Sequence, residues 1–334
     1  MRGAAAFALA VSASLLVLGS ASAQQSTTGS APPLVAPAPA LVPGGAPALA
    51  PAPGLTPNRA SAAAPAAGGA KSAAKCDIPN ALGVSRTVEI DTTGGPGFGF
   101  EHFKQLDFLR DKEVVLTFDD GPWPTTPAVL KALAAECVKA IFFPIGKHAT
   151  YYPEILKQVA AAGHSIGSHT WSHKDLSAIK SQDEAKAEIE KAVSAVKWAL
   201  GDQGQEAPFF RFPALRHPPE MVTYLGTRNI AIFSTDMDSF DFKMRKPEQV
   251  VKSIMTKLQK HGKGIVLMHD FQKATSEAVP QLLAELKAGG YKIVHMKARG
   301  TVTSLPQYDE ELVKEAKLPT VSTRPVSSVV REVE

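Results

Sequence analysis

Between residues 76 and 299, short apolar runs alternate with amphipathic stretches, and this alternation leaves few folds open. Residues 114–118 read as a buried strand ending at two carboxylates, and residues 140–143, 209–210, 230–233, 265–268 and 291–294 read as further strands. Helical stretches lie between them. Pro127 suits a first helical turn ahead of Val129, Leu130 and Leu133. A second helix runs from about Pro153 to Ala162 and stops at Gly163, a good left-handed terminator. Ser181 with Glu184 forms a capping box that opens a helix whose Ile189, Val193, Val196 and Leu200 fall three or four apart. Pro247 starts a helix with Val250, Ile254 and Leu258, ended by Gly262, and another with Leu282, Leu283 and Leu286 stops at Gly289 and Gly290. Repeated β-then-α units imply a parallel sheet with helices outside. Alternation alone does not separate a barrel from an open doubly wound sheet.

The flanks read differently. Residues 1–23 have the pattern of a signal peptide: Arg2, an apolar stretch over 7–18, then Ala21, Ser22 and Ala23 as a small-residue cleavage site before Gln24. The alternative is an uncleaved anchor, although the stretch is short against the ~20 apolar residues of a membrane span. No later run reaches that length, so no stable membrane span is expected after cleavage. No Cys follows the cleavage site, which removes a lipid anchor. Residues 24–75 are rich in Ala, Pro, Gly and Ser and read as a disordered linker, too poor in apolar surface to offset the entropy of ordering. The linker holds Arg59, Lys71 and Lys75 and no acids, a slight bias toward an anionic wall polymer. Residues 76–299 are enough for one domain with a substantial core. Residues 300–334 read as a charged, Pro-dotted, partly ordered tail. A formal net charge of +4 is too small to argue for nucleic acid. The two cysteines, Cys76 and Cys137, either bridge in an exported protein or remain two free thiols.

Five separated segments carry the chemistry. TFDDGP holds Asp119 and Asp120 at the end of a strand, where neighbouring side chains on an extended backbone point to opposite sides. One carboxylate can then bind a cation while the other faces substrate. HTWSH holds His169 and His173 at i, i+4, which share a face if the segment is helical. With Asp120 they make two imidazoles and a carboxylate, a set that leaves positions open for water and that zinc hydrolases and iron oxygenases both use. RFPA carries Arg211, DSFDF carries Asp238 and Asp241, and VLMH ends in His269. Taken singly, each has an ordinary structural reading: an Asp-Gly-Pro turn, surface histidines, a core histidine closing a strand. Together they make a set for activating water on a metal. The Gly94–Gly99 stretch lacks the Lys-Ser/Thr of a nucleotide loop and reads as a turn-rich approach segment. Phe98, Phe100 and Phe103 read as packing across the barrel. Trp123 and Trp171 read equally as core or as sugar-stacking faces. No cofactor motif and no Ser or Cys nucleophile motif stands out.

In this order the five segments resemble the polysaccharide deacetylases of carbohydrate esterase family four, the nodulation-type chitooligosaccharide deacetylase homology domain. The resemblance implies a distorted, incomplete (β/α) barrel of about seven units. It implies Asp119 as general base, and Asp120, His169 and His173 as ligands of a divalent metal, with Zn2+ expected first and Co2+, Mn2+ or Ni2+ as others. It further implies Arg211 as the group holding the base, and His269 as the acid for the leaving amine. Asp241 orients that acid, with Asp238 in the same motif and Asp236 as a third candidate in the stretch. Two positions depart from the family pattern. Ala214 stands where Tyr is usual but keeps the backbone N–H that helps hold an oxyanion, and Phe242 stands for Trp, leaving an apolar wall for the acetyl methyl with Leu267 opposite. The implied activity is metal-dependent removal of N-acetyl groups from GlcNAc-type residues of peptidoglycan, chitin-type oligomers or a surface polysaccharide, by an exported, periplasmic or secreted protein. An O-acetyl xylan esterase of the same family, and a catalytically dead carbohydrate-binding protein, are the rivals.

Overall fold

The computed structural model describes residues 76–316, so the leader and linker readings and residues 317–334 lie outside the described residues. In chain order the elements are β1 (Val84–Ile90), β2 (Gly97–Phe98), β3 (Glu113–Asp119), α1 (Thr126–Ala135), β4 (Ile141–Phe143), α2 (Gly146–Tyr151), α3 (Pro153–Ala161), β5 (Ser165–Ile166) and α4 (Gln182–Leu200). They continue with β6 (Phe209–Phe210), α5 (Pro219–Thr227), β7 (Ala231–Phe233), β8 (Met237–Asp238), α6 (Pro247–His261), β9 (Gly264–His269), α7 (Lys273–Ala288), β10 (Lys292–Ala298) and α8 (Pro306–Ala316).

Every strand pairing among the described residues is parallel, as β-then-α connections require. Strand β3 is central. It pairs with β9 along its length, with β10 at its start and with β4 at its end. From β4 the ladder passes to β5. A single bridge between Ser168 and Phe210 then links β5 to the smaller sheet of β6, β7 and β2. On the other side β9 pairs with β8. No ladder joins β7 to β8 among the described residues, so the ring stays open there. The fold is therefore an incomplete, distorted (β/α) barrel.

The period of two along β3 decides where its acids point. Val114, Leu116 and Phe118 belong to the outer core, packed with α1, α6 and α7 residues such as Leu133, Ile254 and Leu282. Val115 belongs to the inner core with Ile141, Phe143, Phe209, Phe233 and Ile265. Thr117 and Asp119 share the face of Val115, so Asp119 emerges at the open end of an apolar barrel interior.

Local signals explain the helices. The Ser181 side chain accepts from the Glu184 N–H at the start of α4, and Gly262 takes the left-handed cap of α6 at φ 80°. Cys76 and Cys137 form a disulfide, so the pairing is the one that ties the domain's start to the end of α1. Closing a loop with a sequence separation of 61 residues contributes about 4 kcal/mol. The stretch after residue 299 includes α8. Its Leu312 is buried, and Lys191 of α4 reaches Glu311 and Glu315 of α8 at 2.8 and 3.0 Å. Phe98 and Phe103 pack inward, but Phe100 is exposed. No helix among the described residues is long and apolar enough to cross a membrane.

Candidate metal centre

Five strand ends bring the five segments to one cavity of about 670 Å3. Asp119 closes β3, Asp238 closes β8 and His269 closes β9, while His169 and Arg211 follow β5 and β6. Parallel barrels place chemistry at this end because strand and loop side chains converge there.

The two carboxylates do not point to opposite sides. Asp120 takes the left-handed region at φ 71°, which ends the extended geometry that the alternation argument assumed. As a result both acids face His169, whose Nε2 lies 3.5 Å from Asp120 Oδ1 and 3.9 Å from Asp119 Oδ2. The histidine segment is not helical either. It is a loop after β5 in which Thr170 and His173 have φ of 61° and 59°. This folding still brings the pair together, with ring centroids 5.0 Å apart and His173 Nε2 3.3 Å from Asp120 Oδ1.

Asp120, His169 and His173 each offer one ligand atom, and these atoms lie within 4.8 Å of one another. Asp120 Oδ1 is buried and receives no hydrogen bond. A buried carboxylate oxygen without a donor is costly, and a cation is the partner this set suits. His169 Nδ1 donates to the Arg211 carbonyl at 2.7 Å, which leaves the Nε2 lone pair for a ligand. Burial holds the His169 imidazole neutral, with its pKa pulled down to about 3. The residues therefore fit a divalent cation: two imidazole nitrogens, one carboxylate and room for further ligands.

Arg211 is fully buried and fixed at every edge. It donates to Asp119 Oδ1 and Thr117 Oγ1 at 2.7 Å each, to the Ser234 carbonyl at 2.9 Å and to the Phe233 carbonyl at 3.3 Å. Burial pushes the Asp119 carboxyl above the ordinary range, against the pull of Arg211 and His269.

Across the cavity His269 Nδ1 donates to Asp241 Oδ1 at 2.6 Å, and the His269 N–H and Thr275 hydroxyl donate to Oδ2 at 2.8 and 2.5 Å. Burial lowers the basicity of the His269 imidazole, but the hydrogen bond and charge of Asp241 outweigh it, with help from Asp120 and Asp119. The pKa rises to about 9. Of the three candidate acids only Asp241 bonds this histidine. Asp238 lines the cavity but accepts from the Phe240 N–H at 2.8 Å, and Asp236 is used by the N–H groups of Phe100 and Ile265. Ala214, Phe242 and Leu267 line the cavity too. Ala214 sits in the left-handed region at φ 53°, and the Phe242 ring stands edge-on to His269 at 5.6 Å.

Sequence reasoning missed Thr117 and Thr275, whose hydroxyls brace Arg211 and Asp241, and His102, which lines the cavity from the segment after β2. No spacing signal marks any of them. Trp123 packs against His148 and edge-on to Tyr152, and Trp171 packs against Gly146. Neither is among the cavity-lining residues.

The polysaccharide deacetylase family profile matches residues 108–230. The chain is 32% identical over 191 residues to the peptidoglycan-N-acetylglucosamine deacetylase PgdA of Listeria monocytogenes, covering 55% of this chain and 38% of that protein. It is 34% identical to chitin deacetylase 1 of Saccharomyces cerevisiae, covering 48% of this chain and 53% of that protein. It is 30% identical to the chitin deacetylase of Colletotrichum lindemuthianum, covering 54% of this chain and 76% of that protein. The chain thus spans well under two thirds of the bacterial and yeast relatives. Among solved structures, a Bdellovibrio bacteriovorus peptidoglycan deacetylase superposes with a TM-score of 0.59 at 34% identity, covering 68% of this chain and 62% of that one. A family-four pseudoenzyme from Bacillus anthracis superposes at 0.50 and 26%, covering 55% and 64%. Matched residues, fold and the order of the five segments agree: this chain belongs to the polysaccharide deacetylase family.

Proposed function

We propose that this chain is a metal-dependent deacetylase that hydrolyses the N-acetyl groups of GlcNAc-type residues in an exported polysaccharide or oligosaccharide. The observation that carries the reading is the buried, donorless Asp120 Oδ1 between two imidazole nitrogens, beside an arginine-held carboxylate. A divalent cation held by Asp120, His169 and His173 would lower the pKa of a water from 15.7 to about 7 and polarise an acetyl carbonyl. Zn2+ is the first choice for this donor set, with Co2+, Mn2+ and Ni2+ as the other candidates.

The chain's own residues supply the proton traffic. Asp119 accepts a proton at Oδ2, since Oδ1 is engaged by Arg211. Arg211 keeps the base aimed and favours its ionised form against the pull of burial. His269, protonated below about pH 9, gives its proton to the departing amine, and Asp241 holds the ring with Nε2 as the donor. Ala214 contributes a backbone N–H at the cavity wall for the oxyanion, while Phe242 and Leu267 offer apolar surface to the acetyl methyl. Water, amide and protons balance as acetate and a free amine. The leader reading and the Ala/Pro-rich linker support export toward a wall or periplasmic polymer.

The test is acetate release, measured on chitooligosaccharides and on acetylated xylan side by side. The reading expects release from the N-acetyl substrate. Release from xylan alone makes the chain an O-acetyl esterase, and bound metal with no turnover on either makes it a carbohydrate-binding pseudoenzyme.

A further inference from the structure

Part of the cavity wall comes from outside the residues that the family profile matches. The profile begins at residue 108, yet Glu101 and His102 line the same cavity as Asp119, Asp120 and His269. They lie on the segment after β2, and that segment is pinned to the barrel. Gly97 and Phe98 pair with Ile232 and Phe233 of β7, the Glu101 N–H donates to the Thr235 carbonyl at 3.0 Å, and the Phe100 N–H donates to Asp236 Oδ1 at 2.5 Å. Gly99 makes the approach possible: its φ is 101°, and a Cβ there would stand 2.5 Å from the Thr235 nitrogen.

The His102 ring is fixed twice. Its Nδ1 shares a hydrogen bond of 2.7 Å with Ser234 Oγ, and its ring packs on His217 at 4.4 Å between centroids. His217 is wedged between Phe103 and Phe212, each at 5.1 Å, and neither of its nitrogens has a partner, so its contribution is a surface to stack on. With Nδ1 engaged, Nε2 is the polar atom that His102 offers to the cavity. A hydroxyl can donate or accept, so it pairs with Nε2 in either tautomer. A ring held beforehand loses little freedom on binding. The cavity, about 670 Å3, falls in the range of roughly 300–1,000 Å3 that encloses whole drug-sized ligands, which is more than one hexose needs.

Resting on the deacetylase reading, we propose that His102 is a substrate-binding residue. Its Nε2 hydrogen-bonds a hydroxyl of a sugar neighbouring the one whose acetamide meets the Asp120–His169–His173 cluster. The segment after β2 thereby makes this chain prefer oligomers to short substrates.

The experiment measures initial rates on N-acetylchitooligosaccharides of two to five sugars, with wild type and the variants His102→Ala, His102→Gln, His102→Phe and Ser234→Ala. Loss of one hydrogen bond of this kind predicts a KM about tenfold higher for the longest substrates in His102→Ala, with a smaller change in kcat and a narrower gap between long and short substrates. His102→Gln recovers part of the loss, and Ser234→Ala, which frees the ring, loses less. His102→Phe keeps the stacking and behaves as His102→Ala. Wild-type kinetics in His102→Phe, or an equal loss at every chain length, overturns the subsite. Calorimetric titration with the five-sugar oligomer separates this from the hydrolase reading. Wild type that binds it without releasing acetate sinks the reading, while a Kd weakened about tenfold in His102→Ala still supports the subsite. An unchanged Kd, or no binding by wild type, overturns it.

Discussion

Strand β3 carries a buried carboxylate at each end, and an arginine holds each one. At its start Glu113 has both oxygens taken: Arg86 donates to Oε1 at 2.8 Å and to Oε2 at 2.6 Å, and the Arg110 N–H adds a bond to Oε2 at 2.8 Å. The arginine's hydrogen bond outweighs burial, and the Glu113 pKa falls to about 2. At its end Asp119 has one oxygen held by Arg211 and the other aimed at the cavity. There burial outweighs the arginine, and the carboxyl shifts upward. The same pair of residue types thus serves two purposes. Where both oxygens are bonded the anion is locked and stabilises the fold; where one oxygen stays free and desolvated the group is fit to take a proton. Barrels divide labour in this way, with chemistry at the C-terminal strand ends and stability at the other.

The contrast can be broken at either end. Asp119→Asn removes the proposed base but keeps an oxygen that can accept from Arg211, so kcat should fall by about 10²–10⁴-fold while bound metal stays near wild type. Full activity would refute the assigned base. Arg211→Met strands Asp119 without its partner, and denaturant unfolding should register a loss of about 3–5 kcal/mol together with lost turnover. Glu113→Gln should cost about 1.5–3 kcal/mol and leave kcat and KM unchanged. A change in turnover there would show that the two ends are not separate in purpose.

Acid sharpens the same point. The folded pKa of Glu113 lies below its ordinary value of 4.5, so its contribution is complete above that pH and is lost as pH falls toward about 2. Urea midpoints measured across this window should drop more steeply for wild type than for Glu113→Gln. The smallest expected effect is at the brace. Thr275→Val removes the hydroxyl on Asp241 Oδ2, and kcat should fall about tenfold.

Much of the barrel was legible because its long elements carry their own signals. The buried run of β3, the Ser181 cap of α4 and the glycine stops after α6 and α7 need no tertiary knowledge. The missed elements owe their existence to partners. Strands β2, β5 and β8 are two residues long, set by pairing rather than by propensity. Strand β1 does alternate between more and less exposed residues, a readable pattern in VSRTVEI that its many polar residues obscure. The site was legible as a parts set. The left-handed Asp120, Thr170 and His173 were not, since non-glycine residues take positive φ only where the surrounding structure enforces it. For the same reason the helix reading of HTWSH failed while its two histidines still converged. His102 was invisible because only the close approach permitted by Gly99 brings its segment to the cavity.

Metal-stripped protein, remetallated with one equivalent of Zn2+ and assayed for acetate release from chitooligosaccharide, tests the centre most directly, with His169→Ala treated in parallel. The account predicts one tightly held ion per chain, activity that disappears on stripping and returns with the ion, and neither binding nor activity in His169→Ala. Undiminished release from stripped wild type, or one tightly held ion in His169→Ala, would contradict it.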